Sequence, residues 1–257
     1  MGLGPQTSLD LTHVLYDDSS YFSLALALVT LSPILLMAST ASNLFAIVDP
    51  VLYFQPAYAA LAIQTREYII IIMWAGQFAG EALNLVLKHA IRQERPSYSA
   101  AHGYGFPSSH SQYMGYFTTF LILHLYFRHR FASTGYSILD SAWRVAVYSA
   151  LMAWAAIVAY SRYYLRYHSI LQILWGLAIG MALGITVYAF CELIPRRRPN
   201  SIFGALKSYI VENPLSTWLQ IRDGWGIWAD GGREDEWLRW RKEWDKQRNA
   251  NARIKTA

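Results

Sequence analysis

Polar and ionisable residues at chemically useful spacing fall in three clusters, each beside a long apolar run. In the first, Gln77, Glu81, Asn84 and Lys88 recur at helical intervals that put all four on one face, and the chain continues through Arg92 and Arg95 to Pro96. The second is Gly105-Phe106-Pro107-Ser108-Ser109-His110-Ser111-Gln112, and the third runs from Ser161 and Arg162 through Arg166 to His168. Fixed cations, a Pro-Ser-Ser turn that feeds backbone N–H groups into a helix start, and two histidines together describe a phosphate site with an acid and a nucleophile. Histidine suits both roles because its unperturbed pKa of ~6.5 leaves neutral and charged forms available near neutrality. Asp and Glu are few in these loops and no His-x-x-x-His or Cys pair accompanies them, so neither a metal nor another cofactor is expected.

Taken singly, each of these residues has a plainer reading. Lys88 and Arg95 would be interface snorkellers, Arg162 an anchor at a helix end, and Ser108 an N-cap. Glu81 and Asn84 read as structural, bonding across helices and orienting Lys88. His13, His102, His124 and His129 lie outside any motif and read as structural or interfacial. The chemical reading rests on the clusters occurring together.

What must position them is apolar. The chain has 257 residues, 54% hydrophobic and only 15% charged, whereas soluble domains carry about 25% charged residues. Ser19 to Val48, Val51 to Thr65, Ser111 to Phe127, Val145 to Ser161 and Tyr167 to Cys191 contain no Asp, Glu, Lys or Arg, and Tyr68 to Leu87 contains only Glu81. Since about 20 apolar residues cross a bilayer as helix and lipid leaves no water for unpaired backbone, the fold class is all-α, a polytopic membrane helical bundle. Asp49-Pro50 and Gln55-Pro56 interrupt the segment from Ser42 to Gln64, so five or six crossings are both open and that segment reads as interfacial or re-entrant. The opening residues lack any Lys or Arg before Arg66 and do not read as a secretory signal, so the first apolar run is expected to stay in the mature chain. A lone cysteine, Cys191, leaves no internal disulfide.

The expected organisation is a polar N-terminal segment over 1–20, a membrane domain over 21–195, and a basic, Trp-rich tail over 196–257. Lys and Arg balance Asp and Glu at 9 each through residue 195, and the tail holds 13 against 8, so the net charge of +5 belongs to the tail. By the positive-inside rule Arg196, Arg197 and Arg198 place the tail in the cytoplasm. Trp237, Trp240 and Trp244 follow helical spacing among charges, which fits a helix lying in the membrane interface, a small self-packed helix or a solvated arm. With antiparallel neighbours, the three polar clusters face one side, opposite the tail. Lys88, Arg92, Arg95, Arg162 and Arg166 then stand where positive charge is normally scarce, and a polyanion is the natural partner.

In order, Lys88-x₆-Arg95-Pro96, Pro107-Ser108-Ser109-His110 and Ser161-Arg162-x₅-His168 resemble the three-part signature of the phosphatidic acid phosphatase type 2 superfamily. These are metal-independent lipid phosphatases related to vanadium haloperoxidases. Ser109 stands where the second motif usually has glycine and Gln172 where the third usually ends in Asp, departures similar to the dolichyldiphosphatase branch. The segment from Ala41 to Pro56 has no counterpart there and reads as an insertion. The resemblance implies hydrolysis of dolichyl diphosphate to dolichyl phosphate and phosphate through a phosphohistidine, recycling the carrier lipid of protein N-glycosylation in the endoplasmic reticulum membrane, with a lumenal site. It implies His168 as nucleophile and His110 as acid, with Lys88, Arg95, Ser108, Ser109 and Arg162 holding phosphate. Gln172 would orient His168, and Glu81 and Asn84 would support the site from upstream by orienting Lys88. The partners implied are the polyprenyl diphosphate and the bilayer, with no nucleic acid. Phosphatidic acid or a sphingoid base phosphate is the alternative substrate, and a catalytically inactive membrane scaffold is the alternative of another class. A transporter would favour midplane sites and internal repeats, whereas these clusters sit at helix ends.

Overall fold

Apolar runs bounded by polar turns become helices in the computed structural model, which describes residues 6–9, 14–17, 22, 25–26, 55–97, 99 and 103–256. The run expected from Ser19 to Val48 and the segment from Ala41 to Pro56 lie almost wholly outside the described residues, as do His13 and His102. In chain order the helices are α1 (Gln55–Thr65), α2 (Tyr68–Ile91), α3 (Ser109–Phe127), α4 (Ser137–Tyr164) and α5 (Ile170–Tyr188). A π-helical turn, Ala189–Leu193, and a last α turn, Ile194–Arg197, prolong α5. The tail adds α6 (Ile202–Glu212), α7 (Pro214–Trp218), α8 (Gly224–Ile227) and α9 (Arg233–Thr256). One feature departs from an all-helical chain: β1 (Gln6–Leu9) and β2 (Val14–Asp17) pair antiparallel, Thr7 opposite Tyr16 and Leu9 opposite Val14.

Among the described residues three helices are long and apolar enough to cross a membrane, Tyr68–Ile91, Ser137–Tyr164 and Ile170–Arg197. Only 33%, 17% and 28% of their most apolar stretches are buried, so Leu85, Val86, Met152, Ile157, Leu171, Leu174 and Ile185 face outward, as lipid contact requires. The fourth expected run, α3, spans 19 residues but carries Ser111, Gln112, Thr118 and His124 on buried positions, which makes it the polar centre of the bundle. The 11 described residues of α1 reach ~17 Å.

α3 packs most extensively against α5, and three glycines at intervals of four allow it. A Cβ at Gly176 would lie 2.7 Å from the Ser108 carbonyl, one at Gly180 2.1 Å from the Gln112 carbonyl, and one at Gly184 3.0 Å from that of Tyr116. Small residues bring two backbones into contact where lipid supplies no hydrophobic drive. Below this seam, Phe120 packs edge-on to Tyr188 at 5.4 Å, within a core that includes Met73, Met114, Tyr116 and Val158.

The tail docks on the end of the bundle away from the three polar clusters. Glu67, just before α2, is 2% exposed; it accepts from Arg222 Nε at 2.7 Å and from the Gly224 N–H at 2.9 Å. Backbone bonds from Tyr68 to Arg222 and from Arg222 to Arg66 zip the two segments together. Lys207 on α6 reaches Glu192 at 2.8 Å and Asp223 at 2.7 Å, and Arg128 joins the same carboxylates. Beyond this, α9 is a helix as its spacing predicts, with Trp237, Trp240 and Trp244 about half exposed and the last two stacked at 5.8 Å.

Candidate active site

Each polar cluster sits at a helix end on one face of the bundle. After α4 the chain turns through Arg166, held at φ +59°, and the N–H groups of Tyr167 and His168 return to the Arg162 carbonyl at 3.1 and 3.3 Å. Ser169 then caps α5 reciprocally: its hydroxyl accepts from the Gln172 N–H, and the Gln172 side chain accepts from the Ser169 N–H. A helix start is thereby fixed directly behind His168.

This fixes the histidine's protons as well. His168 Nδ1 lies 3.0 Å from the Gly105 carbonyl and 3.3 Å from Gln172 Oε1. Both are acceptors, because Gln172 donates its Nε2 to the Glu94 carbonyl at 3.1 Å and must turn its oxygen to the ring. Nδ1 therefore carries the proton and Nε2 presents its lone pair, with Arg95 Nη1 3.5 Å away. The ring is 3% exposed, and burial, with Arg162 and Arg95 beside it, pushes its pKa down to about 3. His168 is neutral at pH 7 with an unprotonated Nε2.

The expected cations surround it. Arg95 donates to the Tyr167 carbonyl at 3.0 Å, and the Arg162 guanidinium stands 4.1 Å over the Tyr167 ring. Arg95 Nε and Arg162 Nε and Nη1 are buried and have no acceptor among the described residues. Buried guanidinium donors without acceptors are costly, and an anion satisfies them. Lys88 Nζ meets Ser109 Oγ at 2.8 Å, linking the first cluster to the second. The electrostatic neighbours of His110, at the start of α3, are Arg162, His168, Lys88 and Arg95.

Ser108 occupies the N-cap position of α3, yet its hydroxyl does not cap: Ser111 donates to it at 3.1 Å, and the Ser108 N–H bonds the Gln172 carbonyl at 3.1 Å. The first N–H groups of α3 thus have no cap from the Ser108 side chain. Asn84 donates to Gln112 Oε1 at 2.8 Å and Gln112 donates to the Gly80 carbonyl at 2.6 Å, tying α2 to α3 one turn below Lys88. Glu81 is half-buried, with Lys88 and Tyr113 as charge neighbours. All ten sequence-derived residues meet in this region.

Two contributors have no role assigned from the sequence, although Gly105 opens the second cluster. Gly105 supplies the nearer acceptor to His168 through a backbone carbonyl, and a Cβ there would lie 2.8 Å from Gln172 Oε1 and 2.9 Å from Arg95 Cγ. Ser169 was legible in principle as the first residue of Ser-x-x-Gln, the capping-box pattern.

The fold and site define a helical membrane protein that gathers fixed cations, a helix start and two histidines at one end of the bundle. It belongs to the PAP2 superfamily, whose family model matches residues 68–195, and is accordingly a membrane phosphatase. Among curated proteins the chain is 31% identical to human dolichyldiphosphatase 1 over 217 residues, covering 83% of this chain and 80% of the relative. It is 32% identical to the dolichyldiphosphatase of Saccharomyces cerevisiae over 189 residues, covering 70% and 68%. A putative dolichyldiphosphatase of Neurospora crassa is 28% identical, with 88% and 93% covered. Among solved structures, a transmembrane PAP2-type phosphatidylglycerolphosphate phosphatase of Bacillus subtilis aligns at 20% identity and TM-score 0.45, over 70% of this chain and 91% of that one.

Proposed function

We propose that the protein hydrolyses dolichyl diphosphate to dolichyl phosphate and inorganic phosphate, with His168 as nucleophile and His110 as general acid. The observation that carries the chemistry is the fixed tautomer of His168, whose neutral Nε2 lies 3.5 Å from Arg95 Nη1, beside two guanidinium groups whose Arg95 Nε and Arg162 Nε and Nη1 are buried without acceptors among the described residues. The substrate follows the relatives' activity and the Ser109 and Gln172 departures. The terminal phosphoryl group binds with its oxygens on Lys88, Arg95 and Arg162, on the Ser108 and Ser109 hydroxyls and on the open N–H groups of α3, where charge is to be stabilised during transfer.

Nε2 of His168 attacks the terminal phosphorus in line with the anhydride oxygen. The phosphorus–oxygen bond breaks as the phosphorus–nitrogen bond forms, and the His110 proton passes to the departing dolichyl phosphate. Positive charge on the His168 ring is shared through Nδ1–H with the Gly105 carbonyl and Gln172. Water then attacks the phosphohistidine while His110 takes a proton, which releases phosphate and restores neutral His168. The reading further places the protein in the endoplasmic reticulum membrane, with this site lumenal, the tail cytoplasmic, and the product returned to carry glycans for N-glycosylation.

The test is phosphate release by protein purified in detergent with chelator present, comparing dolichyl diphosphate, dolichyl monophosphate and phosphatidic acid. Metal-free release from the diphosphate in preference to the others, lost in His168→Ala, is expected. Preferred release from phosphatidic acid would keep the mechanism and overturn the substrate.

A further inference from the structure

At the opposite end of α3 lies a second cationic cavity that the reaction above does not use. α3 has 19 residues, so its two ends stand ~28 Å apart, about the thickness of a bilayer's hydrocarbon layer. The cavity, about 300 Å³, is lined by Phe127 and Arg128 from the end of α3 and by Tyr188, Glu192, Leu193, Arg196 and Arg197 from the end of α5. Its wall is the π-helical turn Ala189–Leu193, a widened turn of the kind that recurs at functional sites.

The charges there do not balance. Glu192 is already satisfied by Lys207 at 2.8 Å and Arg128 at 3.3 Å, and Asp223 by Lys207 at 2.7 Å. Arg128 and Lys207 pair with these two carboxylates, whereas Arg196 and Arg197 line the cavity without a carboxylate of their own among the described residues, which leaves two cations in excess. Arg196 and Arg197 form an exposed rim, with Arg196 steadied by the Phe127 carbonyl at 3.3 Å. Inside, the Tyr188 ring is 1% exposed and its hydroxyl has no partner among the described residues. A buried hydroxyl without a partner, beside excess guanidinium, calls for an acceptor that carries negative charge.

The apolar walls narrow the class. Phe127, Tyr188 and Leu193 line the cavity, and Phe190, Ile202 and Leu206 continue outward as exposed apolar surface on α5 and α6. We propose that this cavity binds the phosphate group of an anionic lipid headgroup, with Arg196, Arg197 and Tyr188 as its ligands and the lipid chains along the α5–α6 surface. The bound lipid joins the ends of α3 and α5 to the docked tail.

Backbone hydrogen exchange of full-length protein in nanodiscs reads the cavity apart from the active site, through peptides covering 125–131 and 187–200. Stepwise addition of phosphatidylserine to phosphatidylcholine discs is expected to slow exchange there saturably. The apparent affinity should fall at least tenfold in Arg196→Gln/Arg197→Gln and also fall in Tyr188→Phe, while Arg239→Gln/Lys242→Gln on exposed α9, with the same loss of charge, keeps it. Equal protection by inorganic phosphate in phosphatidylcholine discs would overturn the lipid as source in favour of soluble phosphate. Unchanged exchange, or equal loss in the α9 control, would overturn the site.

Discussion

Gln172 carries more of the site than its motif position suggests. It is at once the third helical residue of the α5 capping box, the fixed acceptor behind His168 and the donor to Glu94. Gln172→Ala is expected to lower kcat about 10- to 100-fold, the usual effect of losing such an orienting partner, with KM little changed and the Gly105 carbonyl still holding the tautomer. Its amide lacks a carboxylate's charge, and burial, reinforced by the neighbouring cations, lowers the His168 pKa to about 3. The limb of the kcat/KM profile that reports His168 therefore lies far below the ordinary ~6.5. Arg95→Gln removes one of those cations, so this limb should move to higher pH even as activity falls; an unmoved limb would contradict the assignment. The same shift sets a stability trend. Because the folded pKa is depressed, the His168 contribution is full above ~6.5 and drains away as pH falls toward 3, as protons then favour the unfolded chain. Most of these residues were legible because their side chains are chemically distinctive. The role of Gly105 was not, although it opens the second cluster, since a backbone carbonyl leaves no mark in residue type.

At the scale of elements, the α3–α5 seam sets the separation of His110 from His168, one at the start of α3 and the other just before α5. Gly180→Ala would place Cβ 2.1 Å from a backbone carbonyl, which cannot yield without shifting a helix, whereas Gly184→Ala meets its nearest atom at 3.0 Å. Overpacking of the first kind costs about 1–3 kcal/mol or more, so Gly180→Ala should lower the thermal midpoint in detergent and reduce activity clearly more than Gly184→Ala does. Equal effects would mean the seam does not set the site. Four helices followed from apolar runs because lipid enforces helix wherever charge is absent for long enough. Their ends were less legible: α4 begins at Ser137, eight residues before its uncharged run, because Asp140 binds Ser133 and Thr134 at 2.7 to 2.8 Å and anchors an extra turn outside it. The glycine spacing was present in the sequence as well, but small residues become informative only when the opposing backbone is known.

For the whole molecule, the distinction is between a bundle that holds chemistry at one face and a tail clamped to the other. No spacing rule connects Glu67 to Arg222 and Gly224, and the charge excess of the tail does not show which of its cations are committed to Glu67, Glu192 and Asp223. Glu67→Gln keeps an acceptor for the Gly224 N–H but deprives Arg222 of its carboxylate. It should cost about 1–3 kcal/mol and speed hydrogen exchange over 220–226, with kcat/KM within about twofold of wild type. That separation is expected because α2, at 24 residues, holds its two ends ~36 Å apart.

The central claim is that His168 takes the phosphoryl group. It is tested most directly by mixing enzyme with dolichyl diphosphate labelled in its terminal phosphorus, quenching in alkaline denaturant within one turnover, and mapping the label. The account predicts an acid-labile, base-stable phosphoryl group on the peptide carrying His168, absent in His168→Ala. Label on another residue, or full-rate turnover in His168→Ala, would contradict it.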